Sequence, residues 1–193
     1  MPLYNPTAPD TVNLKTERAM APSTFIAESR SRIRLGTTST PTSGTLYLVP
    51  IHLAAGTVIS NISYASNTGI TSPTNWWFIL LDSSFVGVAV TADQTNTAWG
   101  NNTTKTVAIA ATQAGAASTF TTTYTGIHYT GIVYVGSALT LASEGSLTSA
   151  LGGVTPMFGN SNTGQTTPPV ITAGAFTATT PSGGIQQHYS YLT

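Results

Sequence analysis

The sequence predicts an all-β fold: an antiparallel β-sandwich, jelly-roll-like, preceded by an extended N-terminal arm. Three observations carry this. Short runs rich in β-branched and aromatic residues recur at 10–15-residue spacing, about eight to ten in all. The body shows no amphipathic helical periodicity. Thr is abundant, and its branched side chain suits a pleated surface while supplying hydroxyls where charge is missing.

The elements follow in order. Residues 1–36 hold Pro2, Pro6, Pro9 and Pro22 together with most of the charge, and read as an anchoring arm; residues 37–193 read as the sandwich body. The competing reading makes the arm the first strands of the same domain. Within it, Val12 to Met20 suits a short helix capped by Asp10 or Thr11. Ser29 to Leu35 alternates strictly, so an extended chain projects Arg30, Arg32 and Arg34 to one side and Ile33 and Leu35 to the other. That pattern fits a strand laid on an apolar surface with its Arg side chains facing an acidic neighbour. It fits equally a solvated edge strand, where positive charge guards against aggregation.

In the body, Thr45–Leu53 is strand-like, with Pro50 marking a bend or an edge. Ala54–Thr57 turns the chain into Val58–Tyr64, with Val58, Ile62 and Tyr64 assigned to one face. Trp76–Leu81 is apolar at every position, so it is expected as a central strand. Asp82-Ser83-Ser84 turns into Phe85–Val90 to make a hairpin. Thr106–Ala110, Thr119–Tyr124, Gly131–Gly136 and Leu139–Leu141 follow as strands. Ser146–Gly153 and Ser161–Pro169 read as loops, and Ile171–Thr179 and Ile185–Leu192 complete the set. Such spacing indicates a sandwich or jelly roll. Thr-Gly and Ala-Gly clusters recur without a fixed period, which argues against a solenoid or propeller.

Composition narrows the function classes. The 193 residues are 40% hydrophobic but only 6% charged, with net charge zero. That balance argues against a nucleic-acid binder and against whole-chain disorder. The first 34 residues carry a net +2 and the remainder −2, from Lys105 against Asp82, Asp93 and Glu144. Cys is absent, which excludes thiolate metal sites and cysteine nucleophiles. Met1 to Tyr4 lacks the basic start of a signal peptide. No run of 18 apolar residues is present to span a membrane.

Catalytic signatures are sparse. A glycosidase needs two carboxylates across a cleft, and the body offers only Asp82, Asp93 and Glu144. His52, His128 and His188 sit singly on strand-like runs, a pattern of packed or exposed histidines more than of metal ligands. The nucleophile elbow, the zinc-protease pair and the phosphate-binding loop are missing. The chain is therefore expected to be no enzyme and to hold no cofactor or metal. Trp76, Trp77 and Trp99, with Asn75, Asn96, Asn101 and Asn102 nearby, form a weak candidate for a sugar-stacking platform. The favoured reading puts one of Trp76 and Trp77 in the core and the other at a subunit contact.

Four stretches together carry a resemblance: Ile51–Ile62, Trp77–Ser83, Ala98–Thr103 and Gly131–Gly136. They resemble a β-sandwich family of virion surface proteins of tailed phages infecting actinobacteria, whose members are capsid decoration, head-fibre or minor tail proteins. The resemblance covers about residues 44–141 and is carried by structural motifs. It departs from the family pattern at Tyr124–Thr130, where a longer Pro-containing lead-in is replaced. It implies a non-enzymatic structural protein on the outer surface of a virion, most simply a capsid decoration protein. The implied partners are the major capsid protein or other virion proteins; the consecutive β-rich runs with few charges separately suggest surfaces that bury well, so self-association is expected, as a trimer. A minor tail or fibre protein contacting the host, or a carbohydrate-binding module with a host glycan ligand, are the alternatives. Phe25, Ile26, Arg30, Arg32 and Arg34 are the expected assembly contacts.

Overall fold

The computed structural model describes residues 25–31, 35–144, 156–183 and 187–193. The strands in chain order are β1 (Ala27–Glu28), β2 (Thr37–Ser39), β3 (Tyr47–Leu53), β4 (Val58–Ile59), β5 (Asn61–Thr68), β6 (Asn75–Leu81), β7 (Gly87–Thr91) and β8 (Thr104–Thr112). They continue with β9 (Gly115–Ala116), β10 (Phe120–Thr121), β11 (Gly126–Val135), β12 (Thr140–Glu144), β13 (Gly159–Asn160), β14 (Ser182–Gly183), β15 (Gln187–His188) and β16 (Ser190–Leu192). Every ladder is antiparallel. The fold class is thus the all-β antiparallel sandwich that the strand spacing predicts.

One sheet runs β7-β6-β11-β3-β13-β14. Its centre is the pairing of β11 with β6, from Tyr129↔Leu81 to Val135↔Asn75. The other layer is built on β5, which pairs with β16 along Ile62–Tyr64 and with β12 beyond it. β12 in turn holds β2 and β15, and β16 holds β1. The layers join through β8. Its first half pairs with β5 (Ala65↔Thr104 to Asn61↔Ala108), its second half with β7 (Thr91↔Ile109 to Ala89↔Thr112). A strand that changes sheets in this way makes the corner of a sandwich.

Alternation along β6 explains why this strand is apolar throughout. Trp76, Phe78 and Leu80 enter the core between the layers, with Ile62, Tyr64, Trp99, Ile132, Leu141 and Leu192. Trp77, Ile79 and Leu81 enter a second core on the opposite face, with Leu46, Leu48, Val90, Tyr129 and Val133. That second face is covered by residues 156–183, through Ile171, Phe176 and Ala178. A strand buried on both faces has no solvent side on which to place a polar residue.

Several elements differ from the sequence expectation. The first strand of the Val58–Tyr64 run breaks at Ser60, whose amide donates to the Thr193 carbonyl at 2.7 Å. Val58 is consequently half exposed, not on one face with Ile62 and Tyr64. Thr119–Tyr124 shrinks to β10, because the Thr122 hydroxyl leaves the ladder to donate to the Ala54 carbonyl (2.6 Å). Ile171–Thr179 is no strand. It holds a 3-10 turn at Thr172–Gly174 and a single bridge, Val86↔Thr177. Its apolar residues pack down onto a sheet face, while its backbone bonds are isolated, such as Gly87 amide to Phe176 carbonyl at 2.9 Å.

Part of the segment before residue 36 belongs to the sandwich. β1 is a ladder strand on β16, with Ala27↔Leu192 and Glu28↔Tyr191. The Val12–Met20 helix, the side chains of Arg32, Ile33 and Arg34, and the Ser146–Gly153 loop lie outside the described residues.

Candidate functional site

The expected assembly residues lead to the place where the two ends of the chain meet. The Phe25 ring stacks on Tyr191 at 3.9 Å, nearly parallel. The Ile26 amide donates to the Leu192 carbonyl (2.9 Å), and its side chain packs against the main core. Ser29 spans the joint: its hydroxyl accepts from the Ser190 amide (2.9 Å) and donates to the His188 carbonyl (3.4 Å). The Tyr189 hydroxyl donates to the Glu28 carboxylate at 2.7 Å. Arg30 lies 3.6 Å from Glu144 of its own chain. The acidic neighbour expected for Arg30 is therefore intramolecular. Phe25 and Ile26, expected as intermolecular contacts, are spent in part on the chain's own last strand.

Beneath this joint runs a seam of buried polar groups that sequence reasoning missed. Thr130 and Ser190 share a hydroxyl–hydroxyl bond of 2.6 Å. The fully buried Tyr64 hydroxyl faces the same pair, and burial raises its pKa. Ser39 bonds His188 Nδ1 at 2.9 Å. His188 is wholly buried with its Nε2 unpartnered, and burial pulls its pKa from 6.5 down to about 4. The one legible signal was spacing. His188, Ser190 and Leu192 fall two apart, so a strand that buries Leu192 buries two polar residues with it.

The stacking platform does not form. Trp76, Trp77 and Trp99 are at most 1% exposed. No ring face is open to a sugar, nor does either Trp76 or Trp77 reach a subunit contact, because β6 is covered on both sides. Trp76 Nε1 donates to the Thr97 carbonyl (2.7 Å), and its ring lies 5.1 Å from Trp99. The neighbouring amides serve turns. Asn101 Oδ1 accepts from the Gly69 amide (2.7 Å), and Asn96 and Asn102 adopt left-handed φ of 53° and 49°.

The three body carboxylates are held by separate elements. Asp82 closes the β6–β7 turn by accepting from the Ser84 and Val86 amides at 2.8 and 3.0 Å. Asp93, past the far end of β7, accepts from Asn75 Nδ2. Glu144 ends β12. Asp82 and Asp93 therefore sit at opposite ends of one hairpin and cannot flank a scissile bond. Among the described residues, no three His, Asp or Glu side chains gather as a metal site. His128 is buried under Tyr124, whose ring stacks on it at 4.4 Å, and burial lowers its pKa. His52 is exposed on β3 and faces away from it. Among the described residues no helix is long and apolar enough to cross a membrane. No protein-family model and no curated protein matches the chain.

Proposed function

We propose that the chain is a non-enzymatic structural subunit on the outer surface of a virion, a capsid decoration protein that adds stability to a shell by binding it in many copies. The observation that carries this reading is the four-stretch resemblance over about residues 44–141. The structure supplies consistent support. The groups a catalytic site would draw on are committed to the fold: Asp82 to a turn, Glu144 to Arg30, and His128 and His188 to buried positions. The low charge also fits a subunit whose surfaces are covered on assembly, since a near-neutral exterior otherwise favours association. Binding to the shell alone stabilises both partners by mass action. The major capsid protein is the expected partner, with self-association as a trimer beside it.

Mass spectrometry of purified particles, followed by gold-labelled antibody against the chain, tests this. The chain is expected in multiple copies with label on the head. Label confined to the tail tip would move the reading to a minor tail protein, and absence from particles would overturn it.

A further inference from the structure

The terminal joint is built differently from the rest of the molecule. β15, β2 and β1 contribute ladders of only two or three residues, against seven pairs between β11 and β6. The contacts are largely hydroxyls: Ser39 to His188, Thr37 to Ser143 at 3.1 Å, and Ser29 bridging His188 and Ser190. His188 lies at the centre, paired with Ser143 of β12 and set edge-to-face with Tyr47 of β3 (ring centroids 5.4 Å apart).

We propose that this joint is an acid-operated clasp, in which protonation of His188 frees the terminal strands from the sandwich and leaves the inner sheet standing. The chemistry is that of a buried base without room for its proton. Neutral His188 shares Nδ1 with Ser39, while Nε2 meets no acceptor. The imidazolium must donate from both nitrogens, so the charged ring requires water or a new partner. Among the described residues, the charged and titratable groups on the surrounding elements do not supply one. Tyr47 of β3 stands edge-to-face with the imidazole and carries no charge, and Ser39 of β2 offers a neutral hydroxyl. Glu144 of β12 pairs with Arg30, and Glu28 of β1 receives the Tyr189 hydroxyl. Burial alone displaces the ring's titration. Hydration comes most cheaply by opening the shortest ladders, since local opening follows the segments with the fewest buried apolar contacts. Ser29 links the His188 carbonyl to the Ser190 amide, so β1 and β16 move with β15.

Hydrogen–deuterium exchange of the full chain at pH 7.5 and 4.5, corrected for intrinsic rates, tests this. Peptides covering 25–31, 37–39, 140–144 and 187–193 are expected to lose at least tenfold in protection at pH 4.5, while those covering β6 and β11 do not. His188→Gln, which keeps a neutral donor and acceptor, should abolish the acid response of the terminal peptides. His128→Gln should leave it intact. An undiminished response in His188→Gln, or no terminal loss in the native chain, overturns the clasp. Should His188→Gln fail to fold, ring NMR of the native chain decides. His188 resonances that titrate near pH 6.5 with terminal amides unchanged would refute the proposal, and protonation concurrent with terminal exchange supports it.

Discussion

Gly69 has no room for a side chain: a Cβ added there would lie 1.8 Å from the Trp99 carbonyl oxygen. That oxygen belongs to the bridge between Ile70 and Trp99, whose two backbone bonds are both 2.8 Å. Gly131 is also crowded, but by side-chain ends of Ile79, Leu46 and Leu48 at 2.7–2.9 Å. Side chains can shift and backbone cannot. Gly69→Ala is therefore expected to lower the Tm more than Gly131→Ala, and equal losses would show that the Ile70–Trp99 bridge is not rigid. His188 gives the second expectation. The folded chain refuses a proton at pH 5 that the unfolded chain accepts, so the stability this group contributes is full above about pH 6.5. It is lost as pH falls toward 4, and at full extent the gap corresponds to about 3 kcal/mol. Denaturant titrations from pH 7.5 to 4.5 should show a steeper decline in the native chain than in His188→Gln. At this scale the sequence was informative about apolar residues and silent on polar ones. Trp76 to Leu81 could only be buried, whereas Ser, Thr and His are at home inside or out, and only the fold decides where Ser39 meets His188.

The elements divide by the kind of information each needs. β6 was legible because a long apolar run bounded by turns has one satisfactory place, the middle of a sheet; of β11 only the half from Gly131 was legible, because Gly126–Thr130 mixes Gly, His and Thr with its apolar residues. The β6–β7 turn was legible through Asp82, since Asp accepts from backbone amides two and four residues on. Residues 171–179 differ from the expected strand because a short run with β-branched and aromatic residues describes any segment with one face down. A ladder and a cover over a sheet face look alike until the edges of the sheet are known. The cover has energetic weight. Ile171 is buried in the second core, and Ile→Ala in such a site costs about 2–5 kcal/mol. Ile171→Ala should lower the midpoint of unfolding by a matching amount. A change within about 0.5 kcal/mol, typical of surface positions, would mean that residues 156–183 contribute little to holding the second core. Thr119–Tyr124 failed for a similar reason: the Thr122 hydroxyl competes with the ladder for backbone groups.

For the molecule as a whole, the division at residue 36 carried the anchoring expectation, and the structure sets Ala27–Glu28 of that segment into a ladder of the sandwich. The segment from Phe25 is part of the sandwich through β1 and the Phe25–Tyr191 stack. The Arg30–Glu144 pair is partly exposed, and such pairs contribute about 0–1 kcal/mol. The ion pair therefore adds little beside the joint's hydroxyl bonds, its short backbone ladders and the Phe25–Tyr191 stack. A truncation that tests anchoring must stop at residue 24, since a cut through β1 would injure the fold as well. The charge asymmetry that suggested an anchor was legible in sequence, but the partner of Arg30 was not, because Glu144 is distant in the chain. The measurement that bears most directly on the account is co-sedimentation of the purified chain with particles stripped of it, comparing the full chain with one lacking residues 1–24, both checked as folded by circular dichroism. The full chain is expected to rebind to saturation in many copies per head and the truncated chain to rebind at well under half that occupancy. Failure of the folded full chain to rebind at all would contradict the decoration reading, and equal rebinding of both chains would contradict anchoring through the N-terminal residues.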